Sequence, residues 1–396
     1  MEHPTESIDM TSAAGWQALE DYLPRDFEAL AKEHKVLETQ YGPAKITSGR
    51  DLLRLVLLHA GTNLGLRQTV ALMAEAGGPK VSHVTLHKKM RLAAPYMRAL
   101  VARLVGAGAK AEEQWAGYEL VVVDGSSFGS PGTTGTDARV HLQMRLPDLE
   151  IIDAAIEDRT VGESYKRFTW KEGQLALGDR GYANPPGIAS VVEQGADVLV
   201  RVNRSSLPMY TPLGEPIDVM SYLHSLSGYI PRERKVIVRS KQSGSKIEGR
   251  LIAMRLPPAQ AEKARARLRR ELGNKATAVD REAAGYIVLF TTVPTWEMPI
   301  HMCLEVYRLR WQIELAFKRW KSLCHFDRLP NYRDDTILSW LYAKLLLALL
   351  MHSMMRGAPA AFPPAPEELV ASDLVHDALE SRHARLASHR RRPAAA

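Results

Sequence analysis

The chain has 396 residues, 45% hydrophobic and 24% charged. That is ordinary for a globular protein with a sizeable core, and it excludes disorder as the main state. Lys and Arg outnumber Asp and Glu by 52 to 45, a net +7 that hints at a polyanionic partner. The two cysteines, Cys303 and Cys324, are too few for a disulfide framework and fit no zinc pattern, so they read as reduced thiols in a cytoplasmic protein. Met1 to Ala14 is polar and acidic, unlike a signal peptide.

Residues 1–115 read as a helical N-terminal domain. An apolar run from Asp51 to Ala60, a helix over Leu66–Ala76, a Gly77–Gly78–Pro79 turn and a helix from the Ser82 cap to about Leu92 follow in order. The last carries Lys88, Lys89 and Arg91, which fits either a helix-turn-helix DNA reader or a plain bundle with solvated lysines. Near Tyr118 the texture becomes strand-like. Runs at 119–124, 140–146, 149–156, 175–179 and 196–202 predict strands, with a Pro147–Asp148 hairpin turn and a helix over Pro185–Gln194. The fold class is therefore α/β with a mixed sheet.

Residues 204–283 break this rhythm as a basic, β-rich insertion. Between Arg232 and Lys275, fourteen Lys and Arg face four Glu, a local +10 that suits a nucleic-acid surface better than a solvated face. Residues 284–355 resume the core, with a strand over 286–293, one long helix from Pro299 to His325, and an apolar helix over 337–355. Lys344 in the middle of that last run favours a core helix over a membrane span. Residues 356–396 read as a Pro/Ala linker and a disordered basic tail.

Three acids stand out by position. Asp124 and Asp179 each end a predicted buried strand, and Glu314 sits on the long helix. Taken alone, either Asp also fits a simple turn cap. Together, the three supply the oxygen ligands that hold two Mg²⁺ ions for in-line displacement at a phosphodiester. Tyr307, Arg310, Glu314 and Lys321 fall at about 0°, 300°, 340° and 320° on one continuous helix. That row suits Glu314 as a metal ligand, with Arg310 and Lys321 on nearby phosphates. It also fits an Arg–Glu pair on a solvated face.

The run Tyr307-x2-Arg310-x3-Glu314-x6-Lys321 resembles the YREK signature of DDE transposases of the insertion-sequence-four type, the group that includes the transposon-five enzyme. Leu177-Gly-Asp-Arg-Gly-Tyr182 resembles that family's second aspartate motif, and Val121-Val-Val-Asp124-Gly-Ser126 its first. The resemblance implies an RNase H-like catalytic core, in two parts over 116–203 and 284–355. It implies Asp124, Asp179 and Glu314 as the catalytic, metal-binding triad, with Mg²⁺ as cofactor and Mn²⁺ able to substitute. Tyr307, Arg310 and Lys321 would bind the element's DNA end, with Trp311, and Trp296 more weakly, as platforms for a flipped base, although a buried core position suits each Trp better. The implied activity is cleavage at inverted-repeat ends of a mobile DNA element and joining of the 3′-hydroxyls to target DNA. The implied partners are those ends, the target, and a second copy of the chain in a homodimer, with no membrane. A metal-dependent nuclease without strand transfer, and a decayed end-binding protein, share the same residues. Asp153, Glu157, Asp158 and Glu163 are further acids near the site in sequence.

Overall fold

The computed structural model describes residues 11–39, 43–104, 115–128, 138–146, 149–158, 160–324 and 335–356. The Pro147–Asp148 turn, the expected helix end at His325, the linker from 357 and the 381–396 tail lie outside them.

The N-terminal layer holds α1 (Ala13–Glu20), α2 (Phe27–Glu33), α3 (Gly49–Thr62), α4 (Leu66–Glu75) and α5 (His83–Leu104). Ser48 caps α3 by accepting from Asp51 N at 3.0 Å, and Ser82 caps α5 by accepting from Thr85 N at 3.1 Å. Helix α5 runs a dozen residues past its expected end and contains Pro95. A proline inside a helix costs about 3 kcal/mol. Burial of Ala93, Tyr96, Met97 and Leu100 offsets that cost. Lys89, expected either on a DNA-reading face or solvated on a plain bundle, is buried instead, and its ammonium donates to Val36 O at 2.8 Å and Glu38 O at 2.7 Å.

The α/β part holds β1 (Glu119–Phe128), β2 (Ala138–Leu146), β3 (Glu150–Asp158), β4 (Gln174–Gly178), α6 (Pro185–Val192), β5 (Asp197–Arg201), β6 (Met209–Tyr210), α7 (Val219–His224), β7 (Arg232–Arg239), β8 (Lys246–Arg255), α8 (Pro258–Leu272), α9 (Ala278–Ala283) and β9 (Tyr286–Thr291). It closes with α10 (Ile300–Leu309), α11 (Trp311–Cys324) and α12 (Asp335–Arg356). All nine strands join one mixed sheet in the order β3-β2-β1-β4-β5-β9-β8-β7-β6. Strands β1, β2 and β3 pair antiparallel, while β4 and β5 run parallel to β1. The two prolines opening α6 pre-set its first turn, and the helix carries the crossover between β4 and β5.

The basic segment is not a separate β unit. Its strand β8 pairs with β9 along Arg250–Arg255, so β7 and β8 extend the central sheet, and α7, α8 and α9 give the segment more helix than strand. Its charge is also not all outward. Arg250 is buried and spends its guanidinium on Val293 O, Met298 O and Glu233.

Strand alternation assigns the two faces of the sheet. Leu120, Val122 and Leu142 join a core with α3, α5, α11 and α12, whereas Val121, Val123, Ala176 and Val198 join a second core with Tyr165, Tyr182 and α6. Helix α12 is long and apolar enough to cross a membrane, but it packs on α3 and α5 with Trp340, Leu345 and Leu346 fully buried.

Candidate functional site

The site lies where β1 and β4 part. The two strands pair in parallel only from Glu119–Gln174 to Val122–Leu177, and Asp124 and Asp179 stand two residues beyond. Asp179 follows the end of β4 as expected. Asp124 does not end its strand, because β1 continues to Phe128 on the strength of its pairing with β2. Asp124 Oδ1 accepts from its neighbour Gly125 N at 2.8 Å within the strand, whereas Asp179 Oδ1 caps the turn that follows it by accepting from Gly181 N at 2.7 Å. The glycines around Asp179 have steric reasons. A Cβ on Gly178 would overlap the Tyr165 hydroxyl, and one on Gly181 would overlap the Glu163 carboxylate.

By alternation, Asp124 faces the same side as Leu120 and Val122, toward α11, which brings Glu314. The expected continuous helix is broken here. Helix α10 ends at Leu309, Arg310 caps it, and α11 begins at Trp311. The single-helix arc therefore does not describe how Tyr307 and Lys321 are related. The break leaves Arg310 in ion-pair contact with Glu314, at side-chain exposures of 13% and 20%. The pair is thus drawn inward, not set on a solvated face.

Charge coupling ties the acids together. Burial pushes the Asp124 carboxyl up from 3.8 to about 7, with neighbouring Asp179 adding to the rise, Arg310 and the Gly125 amide opposing it, and Glu314 adding more. Burial works against the Arg310 charge, but Tyr307, Glu314 and Asp124 outweigh it and hold the guanidinium protonated beyond its ordinary range. Arg310 also lies 5.8 Å from the centre of the Tyr307 ring. Tyr307 is buried, and its hydroxyl has no hydrogen-bond partner among the described residues. Lys321 is half-buried on α11. Trp311 has one face covered by the Lys318 ammonium at 4.1 Å from the ring centre, whereas Trp296 is 82% exposed beyond β9. Among the described residues no three His, Cys, Asp or Glu side chains converge closely enough to hold a metal ion, and the Glu314 carboxylate is paired with Arg310.

Further residues complete the site. The side chains of Arg180 and Arg201 have no hydrogen bond or ion pair among the described residues, and both residues line a cavity of about 430 Å³ with Arg204, Asn203, Thr277 and Tyr286. Burial, reinforced by Arg180, brings the Arg201 guanidinium down to about 10; Tyr307 opposes this, and Arg310 and Arg267 add to it. A cation closing a buried strand was the available signal for Arg201. The Tyr165 and Tyr182 rings lie 5.1 Å apart, tilted and fully buried, and neither hydroxyl has a hydrogen-bond partner among the described residues. Tyr182 was visible in the Gly-Asp-Arg-Gly-Tyr motif, whereas Tyr165 carried no sequence signal.

The family described as the transposase DDE domain matches residues 115–351. Across 358 residues the chain is 30% identical to InsL of insertion sequence element IS186A from Escherichia coli strain K12, covering 88% of this chain and 96% of that protein. It is 31% identical over 359 residues, with the same coverage, to the transposase for insertion sequence element IS421 of Escherichia coli. Among solved structures, a piggyBac transposase synaptic complex with hairpin DNA aligns at a TM-score of 0.45 and 8% identity, over 100% of this chain and 83% of that one. With the domain match spanning more than half of its length, and relatives aligned almost end to end, the chain belongs to the DDE transposase family.

Proposed function

We propose that this enzyme cuts the inverted-repeat ends of its own insertion sequence and joins the freed 3′-hydroxyls to target DNA, as a homodimer on paired ends in the bacterial cytoplasm. The observation that carries the reading is the coupling of Asp124 to Asp179, Arg310 and Glu314, which come from three elements far apart in sequence. The strand order β3-β2-β1-β4-β5, antiparallel then parallel, supports an RNase H-like core. The Tyr307, Arg310, Glu314 and Lys321 spacing supports the insertion-sequence-four type.

The donor set fits a hard divalent cation. Every candidate ligand is a carboxylate oxygen, and the Asp124 carboxyl, raised mainly by burial and further by Asp179 and Glu314, would gain from a cation beside it. Asp124, Asp179 and Glu314 would hold Mg²⁺, or Mn²⁺ in its place. Bound there, the metal would activate the attacking oxygen and neutralise the leaving one at phosphorus.

The chain's own residues do the rest. Arg310 guards Glu314 in the free protein and would exchange that carboxylate for a phosphate oxygen when DNA enters. Arg201 and Arg180, whose side chains are unpaired among the described residues, would take neighbouring phosphates. Tyr307 offers its unpartnered hydroxyl beside them. Lys321 and the outward arginines of α8 extend the basic surface, and Lys88 and Arg91 on α5 would contribute end recognition. The test is strand transfer from a pre-cleaved end with a free 3′-hydroxyl. Wild type is expected to join it to a target plasmid with Mg²⁺, and Asp179→Asn is not. Cleavage without joining would replace this reading with a nuclease.

A further inference from the structure

Strand register carries the edge of the sheet that bears Asp179 across to the basic segment. Asp179 follows the Gly178–Val200 pair, and the next row runs from Arg201 to Leu289, Ile252 and Glu233. Four strand spacings separate β4 from β7, so Asp179 and Glu233 lie about 19 Å apart along one edge. The loop over residues 225–231 enters β7 at that edge. Leu226 and Pro231 are buried and pin its two ends, and Gly228 turns the chain at φ +67°. Between them Tyr229 and Ile230 are left 49% and 37% exposed. Two adjoining large apolar side chains on a pinned loop differ from the single exposed residues that any surface carries.

The charge beside this pair is positive. Arg232 and Lys235 on β7 and Arg255 on β8 are exposed, and their side chains have no hydrogen bond or ion pair among the described residues. Arg234 lies over the Tyr222 ring at 5.4 Å, and Arg255 over the Tyr286 ring at 5.8 Å, so aromatic faces hold both guanidiniums at the edge. Glu233, the acid of β7, is already taken by Arg250 and Thr295. An apolar pair flanked by free cations suits duplex DNA, with the cations on phosphates and the apolar side chains against sugars or between base steps.

We propose that Tyr229 and Ile230 form an apolar contact to duplex DNA, about five to six base pairs from the phosphate cut at Asp179. Arg232 and Arg255 would take the phosphates on either side of it. This rests on the reading of Asp179 as part of the cleavage centre. A second copy of the chain is the competing occupant of the loop.

The test uses the full chain and a labelled duplex that carries the terminal repeat and extends to both sides of the cleavage site. Affinity and hydroxyl-radical footprints are measured without Mg²⁺, so that binding is read and cutting is not. The Tyr229→Ala, Ile230→Ser double variant is expected to bind about tenfold more weakly. It should lose protection in one patch at the stated spacing and keep the rest of the footprint. The side on which that patch falls tells whether the loop holds the element's end or the flanking duplex. Arg232→Ala should lower the salt slope of binding by about one unit. Wild-type affinity and an unchanged footprint in the double variant overturn the proposal and leave the cleavage reading standing. Unchanged DNA binding with a shift from dimer to monomer in sedimentation assigns the loop to a second copy instead. Failure of wild type to prefer the terminal repeat over a scrambled duplex overturns both readings together.

Discussion

Arg310 and Glu314 form an ion pair across the break between α10 and α11, and Arg310 is also the cation nearest in effect to Asp124. One guanidinium thus restrains two of the three acids proposed for catalysis. Removing it leaves enclosed carboxylates without their countercharge, which is costly. Arg310→Ala should destabilise the free protein by about 3 kcal/mol, read by urea unfolding. It should also lower end cleavage far more than it lowers DNA binding.

Asp124 makes stability depend on pH. Its carboxyl titrates near 7 when folded against 3.8 ordinarily, so the folded chain holds the proton more tightly. Below about pH 4 the group is protonated in both states and costs nothing. Between about pH 4 and 7 the unfolded chain releases the proton while the folded chain keeps it, so stability falls across that window and the full cost stands above it. Asp124→Asn should therefore melt above wild type at pH 8 in EDTA, by roughly 2–4 °C per kcal/mol relieved. The difference should close toward pH 4. Thermal melts across that range check both the sign and the window.

Arg201 should trade stability for binding. Burial and its arginine neighbours work against its charge, and no described carboxylate pairs with it. Arg201→Met should raise the melting temperature of the free chain. It should weaken DNA binding and reduce the salt slope by about one unit. Binding titrations at several salt concentrations, alongside melts, measure the two effects together.

Lys88 and Lys89 should separate cleanly. Lys89→Met removes two buried hydrogen bonds to backbone carbonyls and should cost about 2–3 kcal/mol of stability. Lys88→Ala, on the exposed face, should leave stability unchanged and weaken binding to the terminal repeat. Unfolding and gel-shift measurements on the pair distinguish core from surface.

Particular residues show what was legible in the chain and what was not. The strand-like runs before Asp124 and Asp179 and the prolines opening α6 are local signals, and each element formed close to where local chemistry put it. The break at Arg310 has no such signal, because Leu309-Arg310-Trp311 contains no glycine or proline. On its two sides α10 packs on β5 and α11 on β1 and α12. The attachment of β8 to β9 is equally invisible, since strand pairing across 35 residues is decided by tertiary packing. Lys89 and Lys88 look alike in sequence, and only the position of Val36 and Glu38 tells them apart.

The central claim is that Glu314 acts with Asp124 and Asp179 in metal-dependent cutting of DNA ends. It is tested most directly by cleavage of a labelled duplex carrying the element's terminal repeat, with Mg²⁺, by wild type and Glu314→Gln in parallel. Wild type should nick at the end, while Glu314→Gln should bind equally well and cut at least about 10²-fold more slowly. Cutting by Glu314→Gln at the wild-type rate would contradict the account.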